Sequence, residues 1–114
     1  MDADLYSVML QLRFLVLAVG ELKLALRLES VERVVHAVEI TPLPGASSNL
    51  LGVINVHGAV VPVVNFRKRL GIAEREIALD DRFLLVRIAG MAWTLAVDAV
   101  DAVIEPAPSE ILSA

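Results

Sequence analysis

The sequence predicts a mostly β protein, a small barrel or sandwich of short strands with one or two short helical turns. Apolar and polar residues alternate with a period of two along much of the chain, and turns that contain glycine separate the alternating segments at close spacing. Hydrophobic residues make up 57% of the 114 residues. An ordinary soluble domain has roughly 45–50% even when glycine is counted, so this chain has more apolar side chains than its size requires.

The first predicted element is a hairpin over residues 8–28. Alternation runs as far as Val19 and resumes at Leu22, and Gly20 and Glu21 lie between the two runs. Two alternating segments around a short turn that contains glycine are typical of an antiparallel pair. We therefore expect two paired strands at the start of the chain.

Ser30 begins the second predicted element, which we expect to start as one or two helical turns. Serine is a favourable N-cap. Four valines follow it at the spacing of an amphipathic helix: Val31, Val34, Val35 and Val38. Because β-branched residues favour strands, the helical part should be short and give way to an extended segment. Residues 41–44 are also predicted to be extended, since a residue before proline avoids the α region.

Two further hairpins are predicted, with the strands of the second at residues 51–56 and 59–66 and those of the third at residues 82–89 and 92–98. Their turns lie at His57-Gly58 and at Gly90-Met91. Pro62 has no N–H to donate, so its strand is expected to be an edge strand or to bulge there.

Residues 67–70, between these hairpins, predict a helical turn that ends at Gly71. Residues 73–81 form a charged loop in which Asp80 and Asp81 are interpreted as a solvated surface. Residues 99–104 are expected to continue as a strand.

The sequence lacks the residue sets that catalysis needs. Without cysteine there is no thiol nucleophile, disulfide scaffold or cysteine zinc site. His36 has Glu32 and Glu39 near it, but this grouping is too weak to predict a metal site. Asp98 and Asp101 are interpreted as polar positions in a β segment, and no glycine-rich loop opens a helix. We expect neither enzyme activity nor a cofactor or metal.

The charge and hydropathy of the chain argue against nucleic acid and the membrane interior as its binding partners. A net charge of −4 argues against nucleic acid. Residues 40–66 carry no charged side chain, yet their prolines and glycines would leave backbone groups unpaired in lipid. The first four residues are acidic, unlike a signal peptide. We expect a soluble, cytoplasmic protein that is not inserted in a membrane, and the apolar surplus is typical of a protein–protein adaptor.

The segment LGVINVHGAVVPVVNFR, residues 51–67, closely resembles the signature of the CheW-like domain. That domain builds the bacterial chemotaxis coupling protein and the regulatory domain of the kinase CheA. Residues 40–44, ITPLP, fit the family's opening, and residues 97–103, VDAVDAV, are similar to its V-D-x-V-x-x-V segment. The resemblance extends from Leu12 to Pro108. It implies two SH3-like β-barrel subdomains, packed on each other in a single domain over residues 1–114, without enzyme activity.

The resemblance also implies partners and a binding surface. Such a domain bridges chemoreceptor signalling tips to the regulatory domain of a CheA-type histidine kinase. The residues expected on the receptor- and kinase-binding surface are Val31, Arg33, Gly52, Asn55, His57, Gly58 and Pro62. A stand-alone scaffold of a pilus-type or other histidine-kinase pathway is the alternative. A small-ligand-binding barrel is disfavoured because no set of convergent polar residues is evident.

Three positions depart from the family's usual pattern. Glutamate is usual at the position of Arg33, arginine at that of His57 and aspartate at that of Asn65. The usual pair would attract, whereas Arg33 and a charged His57 would repel each other. These differences predict a coupler with altered partner choice.

A CheW-like domain normally continues beyond residues 106–108 with a further hairpin and a closing element. The resemblance therefore implies a domain that is incomplete at the C-terminus, with its final strands missing. A barrel without its last strands exposes unpaired backbone groups. A fragment of a longer domain and a degenerate family member are the alternatives to a chain that completes itself with a second copy. We favour completion by strand pairing or swapping, which would give a homo-oligomer.

Overall fold

The computed structural model describes residues 12–106, which form eight strands, one short α-helix (α1) and one 3-10 turn. In chain order the elements are β1 (Phe14–Val19), β2 (Leu22–Arg27), the 3-10 turn (Leu28–Ser30), β3 (Val31–His36), β4 (Leu50–Val56), β5 (Ala59–Val64), α1 (Phe66–Leu70), β6 (Arg82–Ile88), β7 (Met91–Val97) and β8 (Ala99–Ile104). The predicted mostly-β class is confirmed. None of the helical segments within this range is long and apolar enough to span a bilayer.

The strands form two sheets. One has three strands in the order β2-β1-β8, and the other has five in the order β3-β6-β7-β5-β4. The paired neighbours are antiparallel except β5 and β7, which run parallel over a short stretch. The three predicted hairpins correspond to β1–β2, β4–β5 and β6–β7, but the turn of the third lies at Ala89-Gly90 and not at Gly90-Met91. The predicted start of the first hairpin, at residues 8–11, lies outside the described residues.

Alternation along β6 and β7 buries both faces of the five-stranded sheet. On one face lies an apolar cluster shared with β1: Leu15, Leu17, Val19, Leu84, Val86, Leu95 and Val97. On the other face lies a second cluster: Ile54, Val61, Val63 and Phe83. Successive side chains of a strand point to opposite faces, which explains how Phe83 and Leu84 both become fully buried in different clusters. The five-stranded sheet is thus the layer that carries both cores.

The prediction of helical turns after Ser30 is wrong. The helical turn precedes the valines, and Val31–His36 is strand β3. This segment pairs antiparallel with β6, from Val31 opposite Val86 to His36 opposite Arg82. Its β-branched side chains fit an extended backbone better than a helix, and pairing with β6 supplies the hydrogen bonds that one helical turn could not.

Pro62 was predicted at an edge or a bulge, and the sheet order does not make β5 an edge strand. However, β7 pairs with β5 only at Val63 and Val64. At Pro62 the paired neighbour is therefore β4 alone, through Val53. Because proline has no N–H to donate, only the backbone pairing with β4 can lose a hydrogen bond at Pro62.

The helical turn predicted over residues 67–70 is confirmed as α1. The side chain of Asn65 caps its first turn by accepting a hydrogen bond from the backbone N–H of Lys68, at 3.3 Å. Gly71 follows with φ 72°, in the left-handed conformation that ends many helices. The chain is thereby turned into the loop of residues 73–81.

Candidate functional site

A recess of about 320 Å³ opens on one face of the five-stranded sheet, at the end where His57 lies. Its floor is apolar and is formed by four residues from β4, β5, β6 and β7: Val56, Val61, Leu85 and Ala92. Val61 and Leu85 are buried, with 5% and 7% of their surface exposed. An apolar floor that opens to solvent is suited to receive a side chain from another molecule.

Strand register brings charged side chains to the rim of this recess. Arg33 of β3 is opposite Leu85 of β6, and Arg87 lies two residues further along β6. Residues two apart on a strand point to the same face, so Arg33 and Arg87 border the floor that Leu85 helps to form. Glu32 and His57 complete the charged or polar lining.

The two arginines of the rim differ in their partners. Arg87 donates from Nε to Glu32 and from its terminal nitrogen to the carbonyl oxygen of Gly90, at 2.9 Å. Arg33 is exposed and makes no ion pair or side-chain hydrogen bond with the residues between 12 and 106. Within the described part of the chain, the rim therefore contains one cation paired with a carboxylate and one without an anionic partner.

His57 is held at the recess by the turn between β4 and β5. His57 and Gly58 have φ of 51° and 85°, and a two-residue turn with both φ values positive is of type I′. The side-chain oxygen of Asn55 accepts a hydrogen bond from the N–H of Gly58, at 2.9 Å. Asn55 and Gly58 thus position His57.

Gly52 has a backbone role. It is buried, and a Cβ at this position would lie 2.2 Å from the carbonyl oxygen of Thr41. Its φ of 147° falls in the region that favours glycine. Thr41 and Val53 exchange two backbone hydrogen bonds of 2.9 Å directly beside it. Only a residue without a side chain permits this approach of the 41–44 segment to β4.

The seven predicted surface residues are therefore not equivalent. Arg33 and His57 line the recess, while Asn55 and Gly58 build the turn that carries His57. The other three do not line it: Val31 is half-buried opposite Val86, Gly52 is buried, and Pro62 pairs with Val53.

A charge network around the buried Asp81 joins the loop of residues 73–81 to both sheets. Arg75 donates two hydrogen bonds of 2.8 Å to Asp81, which is only 4% exposed, and one of 2.9 Å to Asp98. Asp98 also accepts from Arg67 and from the N–H of Gly20, each at 2.9 Å. The interpretation of Asp81 as solvated surface is wrong, because this network encloses it.

The network shifts the ionisation of its members. The hydrogen bond from Arg75 and the N–H of Ala78 hold the pKa of Asp81 below its usual value, although burial opposes them. Burial also raises the pKa of Asp98, but the N–H of Gly20 and the guanidinium of Arg67 outweigh it, so the net shift is downward. The pKa of Arg75 is raised by its hydrogen bond to Asp81. All three groups are charged at neutral pH.

The two aspartates that the sequence places three residues apart do not face a common site. Asp98 belongs to the network, whereas Asp101 pairs with Lys23 of β2. No group of three or more histidine, cysteine, aspartate or glutamate side chains between residues 12 and 106 is arranged to hold a metal ion.

Comparison with known proteins decides the family. The sequence profile of the CheW-like domain matches residues 13–114. The chain belongs to the CheW-like domain family. It is 31% identical over 102 residues to the chemotaxis protein CheW of Bacillus subtilis, covering 90% of this chain and 65% of that protein. It is 30% identical over 93 residues to the chemotaxis protein CheW of Rhizobium meliloti, covering 82% and 60%.

Among solved structures, the scaffolding protein TtCheW from Thermoanaerobacter tengcongensis is similar, with a TM-score of 0.79 and 34% identity. The match covers 86% of this chain and 67% of that one. This likeness agrees with the predicted arrangement of two small β subdomains. The chain spans 60–65% of the length of the two curated relatives above.

The two segments on which the CheW-like resemblance rests meet in space. Arg67 ends the segment of residues 51–67, and Asp98 lies in the segment of residues 97–103. The guanidinium of Arg67 contacts both carboxylate oxygens of Asp98, at 2.9 Å each. An ion pair thus joins the two motifs and holds α1 against the junction of β7 and β8.

Proposed function

We propose that this CheW-like chain is a non-catalytic adaptor that couples chemoreceptor signalling tips to the regulatory domain of a CheA-type histidine kinase. Family membership supports the class, since relatives bear the names chemotaxis protein and scaffolding protein. The observation that carries the proposal is the recess. It combines an apolar floor with Arg33 and His57, two of the residues expected to bind a partner.

Direct binding measurements test this proposal. The chain is titrated by calorimetry with a purified kinase regulatory domain and, separately, with a receptor signalling-tip fragment. Binding to both supports the coupling function. Binding to the kinase domain alone supports the alternative, a stand-alone scaffold of another histidine-kinase pathway, and binding to neither contradicts both.

We further propose that Arg33 and His57 give the recess a partner choice different from that of most CheW-like domains. The double variant Arg33→Glu/His57→Arg restores the charges usual in the family. Because both side chains line one recess, the variant should change affinity for the receptor fragment. Unchanged affinity would contradict the proposal. Arg69→Glu, an exposed change on α1, is the matched control.

We also propose self-association through the edge of the three-stranded sheet. Within residues 12–106, β8 is an edge strand whose Val103 and Ile104 are 52% and 42% exposed. An edge with apolar side chains is a template for pairing with another strand. Light scattering after size exclusion should detect a dimer that the variant Val103→Lys dissociates. A monomer over the whole concentration range would contradict this pairing.

A further inference from the structure

We propose that the recess bordered by Arg33 and His57 binds a protein segment that presents a glutamate or aspartate beside an aliphatic side chain. This inference rests on the proposed adaptor function and deepens it by naming the chemistry of the partner. Three features of the recess support this inference: the excess positive charge at its rim, its apolar floor and the rigidity of the elements that form it.

The rim of the recess has an unbalanced positive charge. Arg87 is compensated by Glu32, whereas Arg33 has no anionic partner between residues 12 and 106. A guanidinium can bind a carboxylate through two parallel hydrogen bonds, which a neutral group cannot match. A lysine of a partner would meet Arg33 as a like charge, and the only carboxylate in the lining, that of Glu32, is already engaged. The charge pattern therefore selects an acidic segment.

The floor of the recess favours an apolar group next to that acid. Val61 and Leu85 remain 5% and 7% exposed at its base, with Val56 and Ala92 beside them. A free carboxylate alone would leave this surface in water. An aliphatic side chain on the same segment would cover it, and removal of apolar surface from water contributes favourably. The charged rim and the apolar floor together favour a partner segment that carries an acidic and an aliphatic side chain.

The elements that hold the site are constrained before binding. Arg33 belongs to a strand paired with β6, and His57 lies in a type I′ turn closed by the Asn55–Gly58 hydrogen bond. Arg87 contacts Glu32 and donates to the carbonyl of Gly90. Little backbone ordering is then needed when a segment binds, which favours affinity.

The test uses two amphipathic helical peptides that differ only at one position beside a leucine, glutamate in one and lysine in the other. Each is titrated into isotopically labelled protein and followed by NMR. The glutamate peptide should bind at least about tenfold more tightly, because like charges at a contact are strongly unfavourable. The amide signals of Arg33, His57 and Leu85 should shift most.

Variants locate the effect. Arg33→Glu should reverse the preference between the two peptides, and Arg33→Gln should abolish it. The control Arg69→Glu, with the same charge change on α1, should leave the preference intact. Thermal melts confirm that each variant is folded. Because the Gln variant only removes the charge, it keeps the test decisive even if charge reversal disturbs β3.

Equal affinity for the two peptides, no binding of either, or an Arg69→Glu effect as large as that of Arg33→Glu would overturn the inference. Failure of the adaptor function is distinguishable from this. A chain that selects the glutamate peptide but binds neither receptor nor kinase fragment contradicts only the proposed function. A chain that binds the receptor fragment but does not discriminate between the peptides contradicts only the acidic recess.

Discussion

Substitution of two neighbouring aspartates should have very different consequences. Asp81→Ala removes a buried carboxylate that accepts two hydrogen bonds from Arg75 and one from the N–H of Ala78, all at 2.8 Å. Asp80→Ala removes a side chain that is exposed and makes no hydrogen bond or ion pair within residues 12–106. The two changes are chemically identical and adjacent, so each is the control for the other.

The magnitude for Asp81→Ala follows from its surroundings. Removing one member of a buried ion pair costs about 3–5 kcal/mol, and hydrogen bonds to a charged group contribute about 1.5–3 kcal/mol. The side chain of Arg75 is 36% exposed and keeps its bond to Asp98, which reduces the penalty for the cation left behind. We expect a loss of about 2–3 kcal/mol. Asp80→Ala should stay within about 0.5 kcal/mol of the parent.

Urea unfolding measures both values. Trp93 is the single tryptophan and lies against the core shared by the two sheets, so its fluorescence reports global unfolding. The midpoint of Asp81→Ala should fall well below that of Asp80→Ala with little change in slope. Equal midpoints for the two variants would show that the network around Asp81 does not contribute to stability.

Three further changes probe other parts of the fold. Gly52→Ala should destabilise the fold by about 3 kcal/mol or more, because the new Cβ would lie 2.2 Å from a backbone oxygen. Gly58→Ala is its control and should cost about 1 kcal/mol, because the space around Gly58 is open. Similar urea midpoints for the two variants would contradict the close approach at Gly52. Thr94→Val should raise the free energy of unfolding by about 1 kcal/mol, because the fully buried hydroxyl of Thr94 has no hydrogen-bond partner among residues 12–106. A lower melting temperature of the variant would refute this expectation. Acid should destabilise the protein through Asp81 and Asp98: their folded pKa values lie below the ordinary 3.8, so the unfolded chain binds more protons as pH falls through that value. The stabilisation is complete at neutral pH and is lost as pH falls through the folded pKa values. Asp81→Asn should therefore make the free energy of unfolding less dependent on pH. An unchanged dependence would contradict the lowered pKa of Asp81.

Local sequence signals were sufficient for the hairpins and for α1. His57-Gly58 supplies the positive φ values that a tight turn requires, and Asn65 and Gly71 mark the two ends of the helix. These features depend on residues adjacent in the chain. They can therefore be predicted without knowledge of the tertiary structure.

The spacing of valines after Ser30 misled because it matches a helix and does not exclude a strand. The outcome was decided by β6, which lies far along the chain and offers a complete set of partners to β3. Backbone pairing at a distance outweighs a weak local preference. No signal within residues 30–38 other than the β-branched composition pointed to it.

The charge network could not be predicted for a similar reason. Arg75 and Asp81 lie in a run of charged residues that is typical of a solvated loop. Arg75 joins Asp81 to Asp98, which lies between β7 and β8 and also accepts from Arg67 of α1, so the network depends on residues that are distant in the sequence. The recess was only partly predictable: the resemblance singled out Arg33 and His57, but Glu32, Arg87 and the apolar floor emerge from strand register.

Coupling of two proteins by this chain is tested most directly by their simultaneous binding. Sedimentation velocity of the chain mixed with a kinase regulatory domain and a receptor signalling-tip fragment would resolve each assembly. The coupling function predicts a ternary species heavier than either binary complex, formed only when the chain is present. Absence of any complex, or competition between the two partners for the chain, would contradict it.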